Sequence, residues 1–158
     1  MRRLVEINHG DPIERAFMLF VQTSRALSKS SDQLFKTLNL STVKYIILKA
    51  LSLSGGTLTP SEMANWAGTG LTNITALVAR MQKEDLVTYK RSEKDKRVVY
   101  ITVTEKGRDV LAQANKLAVD MIGKFMKSID KQTAARFEKI LFIIQKNIHA
   151  LQENPDSV

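Results

Sequence analysis

Between Lys90 and Arg97, five bases (Lys90, Arg91, Lys94, Lys96, Arg97) face two acids (Glu93, Asp95). Cations packed this densely are suited to meeting phosphates, or to entering a minor groove whose potential favours arginine. Lys94, Lys96 and Arg97 flank Asp95 at what reads as the tip of a β-hairpin that lacks the usual Gly, Asn or Pro. Asp95 is suited to accept local backbone N–H bonds there and to hold a neighbouring arginine. A second constellation lies upstream. Helical spacing places Thr72, Asn73, Thr75 and Ala76, followed by Ala79, Arg80 and Lys83, opposite Ile74. Asn pairs bidentately with adenine, Thr bonds bases or phosphates, and Ala packs on a thymine methyl. The N–H groups at this helix start also suit a phosphate.

Each constellation has a plainer reading. A polar helix face is usually solvated, and from the helix alone that is the better account. A charged tip also keeps a sheet edge from aggregating, but that role calls for mixed charge and this tip is mostly positive. Catalytic chemistry finds little support. The chain has no cysteine, which excludes disulfides, thiolate metal sites and thiol redox sensing. His9 and His149 are too far apart in sequence to suggest a metal site, and no Gly-rich phosphate loop is present. An enzyme, a metal and a cofactor are therefore not expected. With 158 residues and a formal charge of +8, the chain has room for one core and favours a polyanionic partner. Its longest apolar run, Ile140 to Ile144, is far below membrane-spanning length, and MRRLVEINHG lacks an apolar signal region. A cytoplasmic location is the default expectation.

The elements that must hold these residues can be read in order. Asp11-Pro12 opens a helix with Ile13, Phe17, Phe20, Ser24, Leu27, Leu34 and Leu38 at roughly helical spacing up to Asn39. Ser41 opens a second helix carrying Val43, Ile46, Ile47, Ala50 and Leu51, which ends at Ser54-Gly55-Gly56. Thr59-Pro60-Ser61-Glu62 is a capping box for a short third helix ending before Gly68. After Thr69-Gly70 a fourth helix buries Ile74, Leu77, Val78 and Met81. Val87 to Lys90 and Val98 to Val103 then read as strands, with Val99, Ile101 and Val103 on one face. Thr104 caps a fifth helix with Val110, Leu111, Ala114, Leu117, Ala118, Met121, Ile122 and Phe125 on its apolar side, and Asp130 caps a sixth to about Leu151. Glu153 to Val158 reads as a loose tail. A short helix, a tight turn and a second helix followed at once by a basic hairpin form a winged helix-turn-helix pattern.

The stretch Leu58 to Gly107 resembles the MarR family of winged helix-turn-helix regulators. Asp95, Arg97, Val103-Thr104 and Gly107 match that family's wing signature, and "LSTVKYIIL" is similar to its second-helix opening. Gly70, Ala76 and Asp85 depart from the family's usual residues at their positions. The resemblance implies a mainly α fold with a small two- to three-stranded β-wing and N- and C-terminal dimerisation helices. It divides the chain into residues 1–39, part of the dimerisation region, 40–104, the DNA-binding domain, and 105–158, the C-terminal dimerisation helices. It implies a homodimeric repressor of a palindromic double-stranded DNA operator, released by a small aromatic or anionic effector. Helix 70–84 would read the major groove through Thr72, Asn73, Thr75, Ala76 and Arg80. Wing 90–98 would enter the minor groove through Arg97, with Lys94, Asp95 and Lys96 beside it.

Independent of the resemblance, the last helix has Phe137, Ile140, Leu141, Ile144, Ile148 and Leu151 in one stripe and Phe142 and Ile143 on a second side. A terminal helix apolar over so much of its circumference calls for a partner subunit. For an effector, Tyr45, Trp66, Arg15 and Arg25 supply aromatic walls and cations, although core packing or a solvated surface is the commoner role for each. The competing function is a winged-helix assembly module whose basic wing docks an acidic protein. That reading leaves Thr72 and Asn73 without a role.

Overall fold

The computed structural model describes residues 10–92 and 95–153. Along them run helices α1 (Pro12–Phe35), α2 (Thr42–Leu53), α3 (Pro60–Ala67), α4 (Leu71–Lys83), α5 (Glu105–Phe125) and α6 (Lys131–Glu153). Strand β1 (Thr57–Leu58) precedes α3, and β2 (Val87–Arg91) and β3 (Val99–Val103) lie between α4 and α5. The chain divides into two compact units, Met1–Val119 and Asp120–Val158, with the division falling inside α5. Among the described residues no helix is long and apolar enough to cross a membrane. His9 and the tail beyond Glu153 lie outside the described residues.

Local chemistry sets the helix boundaries. Asp11 accepts the Ile13 N–H at 2.6 Å and Pro12 occupies the first position of α1. The helical spacing that reaches Asn39 in sequence ends as an α-helix at Phe35. A 3-10 turn, Lys36–Leu38, follows, and Asn39 at φ 53° turns the chain out. At α2 the Ser41 hydroxyl accepts from Lys44 N at 3.3 Å, while the Asp32 carboxylate of α1 takes Thr42 N at 2.6 Å. The capping box at α3 is complete: Glu62 N donates to Thr59 Oγ1 at 3.3 Å and Thr59 N donates to Glu62 Oε2 at 2.7 Å. Thr104 Oγ1 accepts Gly107 N at 2.9 Å at the start of α5, and Asp130 accepts Thr133 N at 2.7 Å before α6.

The core of the first unit gathers Phe35 of α1, Ile47, Leu48 and Leu51 of α2, and Met63 of α3. Ile74, Val78 and Met81 of α4, Val87 and Ile101 of the sheet, and Leu111 and Ala114 of α5 complete it. Burying these side chains is the main force that orders these short elements. The antiparallel sheet has the order β1-β3-β2, with Leu58 opposite Ile101 and Tyr89 opposite Ile101 on the other side. The sheet therefore has a third strand beyond the two read from the chain in order. With two residues, β1 carries no alternation to read, and it exists because β3 offers it an edge. Val98, expected at the start of a strand, belongs instead to the turn.

Tight contact joins the end of α4 to the start of α5. Leu86 N closes the helix end on Met81 O at 2.9 Å while Asp85 takes the left-handed conformation, φ 61°. Thr104 then grips that turn twice, its N–H donating to Leu86 O at 3.1 Å and its hydroxyl to Asp85 O at 2.7 Å. A Cβ on Gly107 would stand 2.2 Å from Leu86 O, so only glycine fits. Gly107→Ala is accordingly expected to destabilise the fold by about 1–3 kcal/mol through overpacking against backbone. Urea unfolding checks this, and an unchanged midpoint contradicts it. A second expectation concerns acid. Backbone and hydroxyl bonds from Thr59 hold the Glu62 carboxyl below its usual value. The stability from this cap is thus fully present above the unfolded pKa and is lost as pH falls through the lowered folded value. Glu62→Ala removes those bonds, so the melting-temperature difference from the unmodified protein should be largest at neutral pH and shrink in acid.

Candidate nucleic-acid interface

Thr72, Asn73, Thr75, Ala76 and Arg80 all lie exposed on α4, while Ile74, Leu77, Val78 and Met81 on its other side are buried. Gly70 is the N-cap and offers no side chain to the first turn. Asn73 N and Ile74 N bond back to Gly70 O at 3.1 and 3.2 Å, which accounts for two of the N–H groups at this end. The Asn73 side chain is held in place, its Nδ2 donating to Thr69 Oγ1 at 3.1 Å. An amide carries two N–H hydrogens and a carbonyl oxygen, so one donor and one acceptor remain for an outside partner. Thr75 is different. Its hydroxyl donates to Leu71 O at 2.9 Å, which leaves Thr75 an acceptor and a methyl group for an outside partner.

The hairpin tip explains its unusual composition. Arg97 N donates to Asp95 Oδ1 at 2.9 Å, and Val98 N donates to Asp95 O at 2.9 Å. Ser92 closes the other side: its N–H donates to Val98 O at 2.9 Å and its hydroxyl accepts Asp95 N at 3.2 Å. An Asx-type turn built by Asp95 thus does what Gly or Asn does at other tips. The Arg97 side chain is 96% exposed, with Nε 3.9 Å from Asp95 Oδ1. A pair this exposed contributes little stability and leaves the guanidinium available. Lys96 is exposed beside it. Lys94 lies outside the described residues.

The helix face and the wing are brought together by sequence and packing, since α4 runs through the Glu84–Asp85–Leu86 turn into β2 and packs against it. Two residues of this surface were not singled out from sequence: Thr69, which orients Asn73 from four residues upstream, and Ser92, which braces Asp95. The i to i+4 spacing of Thr69 and Asn73 was the available signal for the first. The effector candidates are scattered over different roles. Tyr45 stacks on Phe35 with ring centroids 4.6 Å apart and donates to Asn115 Oδ1 at 3.1 Å, and burial pushes its phenol pKa up. Arg15 bonds the Gly10 carbonyl, Arg25 is exposed on α1, and Trp66 is exposed on α3. Burial also raises the Tyr89 phenol on the wing.

Residues 29–114 match the family described as Transcriptional regulator SarA/Rot. An organic hydroperoxide resistance transcriptional regulator of Bacillus subtilis is 29% identical over 136 residues, covering 84% of this chain and 88% of its own. The MarR family transcriptional regulator AbsC from Streptomyces coelicolor superposes with a TM-score of 0.81 at 20% identity, covering 95% of this chain and 99% of that one. MarR of E. coli, solved as a mutant with operator DNA, gives 0.74 at 17% identity over 85% of this chain and 99% of that one. The matched region spans α2, the helix-turn-helix and the wing, which is where the exposed helix face and the cationic tip reside. The chain belongs to the SarA/Rot family of transcriptional regulators and has the winged-helix fold of MarR proteins.

Proposed function

We propose that this regulator binds double-stranded DNA sequence-specifically as a homodimer, with α4 in the major groove and the wing in the adjacent minor groove. The observation that carries the reading is the first half of α4: an exposed polar face, a pre-oriented Asn73 and a helix start without a side-chain cap. A phosphate is the natural complement to such a helix start, and base edges are the complement to Asn73 and Thr75. Arg97, held out by the Asp95 turn, supplies the minor-groove contact, and Lys94 and Lys96 meet phosphates. A cytoplasmic location and a palindromic operator accompany this reading, as does repression relieved by a small aromatic or anionic ligand.

Dimerisation through residues 1–39 and 105–158 is part of the same proposal. Ile13, Phe17, Leu19 and Leu27 on α1 are exposed, as are Val119, Ile122 and Phe125 on α5. On α6 the stripe from Phe137 to Leu151 is largely exposed, and so are Phe142 at 69% and Ile143 at 57%. Apolar area on this scale is unusual on a monomer surface and is covered most simply by a second copy. Sedimentation should therefore show a dimer at micromolar concentration, and Phe142→Glu with Ile143→Glu should shift it toward monomer by burying charge in the interface. A well-folded monomer for the unmodified protein contradicts the proposal.

Groove reading and phosphate binding separate by salt. Lys94→Ala or Lys96→Ala should weaken binding to every duplex and reduce the slope of log K against log salt by about one unit. Asn73→Ala should keep that slope and narrow the gap between a selected duplex and a scrambled one. If the lysine and asparagine variants behave alike, the major-groove role of α4 fails and the assembly-module reading gains. Arg97→Ala should cost about 1–3 kcal/mol of DNA affinity with an unchanged melting temperature. Unchanged affinity with a lower melting temperature would make Arg97 a structural residue.

A further inference from the structure

Three charged residues converge on the C-terminal end of α4, and each stands at the helix end that electrostatics disfavours. Glu84 is the C-cap of α4, where the helix macrodipole is negative. Lys44 lies in the first turn of α2 and Lys106 in the first turn of α5, where the macrodipole is positive. Together they satisfy one another. Lys44 Nζ donates to Glu84 Oε1 and Oε2 at 2.7 and 2.6 Å, and Lys106 Nζ donates to the Glu84 carbonyl at 2.8 Å. The Lys44 side chain is only 13% exposed, so the pair is partly desolvated and its geometry is held.

Local helix stability does not account for the Lys44–Glu84 pair, because those two charges could be exchanged for ones that the dipoles favour at α2 and at the end of α4, whereas Lys106 is needed as a donor to a carbonyl. What the arrangement does supply is attachment. It ties the end of α4 to α2 on one side and to α5 on the other, at the turn that Thr104 and Gly107 already grip. We propose that Lys44, Glu84 and Lys106 are positioning residues for sequence reading: they fix the tilt at which α4 presents Asn73 and Thr75 to the bases. The inference rests on the DNA-binding reading above. None of the three belongs to the groove-facing set, and their effect passes through the orientation of the helix.

The test uses the full chain, a duplex that the unmodified protein enriches from a random pool, and a scrambled duplex of the same composition. Lys44→Met and Glu84→Gln change net charge in opposite directions, yet both should narrow the affinity ratio between the two duplexes by about fivefold or more, the usual scale of coupling between packed elements. The exchange of Lys44→Glu with Glu84→Lys restores the pair with each charge at its favoured helix end, and should restore most of the ratio. A purely long-range charge effect would make Glu84→Gln bind both duplexes more tightly and Lys44→Met more weakly at a constant ratio, which overturns the proposal. Equal losses on both duplexes, in step with melting temperature, overturn it too. Where a single variant does not fold, Lys106→Met leaves the ion pair in place, and a ratio it fails to narrow counts against the proposal in the same way. An unmodified protein that enriches no duplex refutes the DNA reading itself and this inference with it, a result distinct from variants that keep full discrimination.

Discussion

A methyl group at residue 107 would stand 2.2 Å from the Leu86 carbonyl oxygen and 2.9 Å from a Val103 methyl, so the start of α5 can lie against the α4–β2 turn only as glycine. Much of the surface formed by the outer face of α4 and the wing depends on that close approach. It lets Thr104 reach both Leu86 and Asp85 with hydrogen bonds while serving as the N-cap of α5. The same turn ends the helix that carries Asn73 and begins the strand that leads to Arg97. Backbone contact is stiff, and a joint made from it fixes direction better than one made from flexible side chains.

Electrostatics is then layered on this joint in two ways. Buried or partly buried charge, as in Lys44 and Glu84, is paired and directional. At the wing tip the Arg97 side chain is left exposed: Asp95 spends its carboxylate on the backbone of the turn and stands 3.9 Å from the Arg97 Nε. In the proposed reading, the overall charge of +8 brings DNA near and the fixed face of α4 decides where it stays. The absence of cysteine sets a further boundary. Thiol oxidation is closed to this chain.

Features written locally were legible in the sequence. Asp11-Pro12, Thr59 with Glu62, and the buried set Ile74, Leu77, Val78 and Met81 each follow from spacing within one turn or two. Asp95 was legible as the organiser of the tip because its acceptors reach only two or three residues along the chain. Strand β1 was not, since two residues show no period and the pairing partner lies at Ile101 and Thr102. Nor was the Lys44–Glu84 pair, which spans 40 residues and runs against the helix-dipole preference at both ends. Thr75 shows a third kind of gap: its position on the outward face could be read, but not that its hydroxyl hydrogen is committed to Leu71 O. Tertiary placement and hydrogen direction are what spacing alone leaves open.

Selection of duplexes from a random pool by the unmodified protein is the most direct measurement of the central claim, that two copies of one fixed helix face read DNA. The account predicts an enriched motif made of two half-sites in inverted repeat, with centres about 10 base pairs or a multiple of that apart, as a symmetric pair of recognition helices requires. A pool that stays random while binding remains salt-sensitive would contradict it, because charge alone would then explain the affinity.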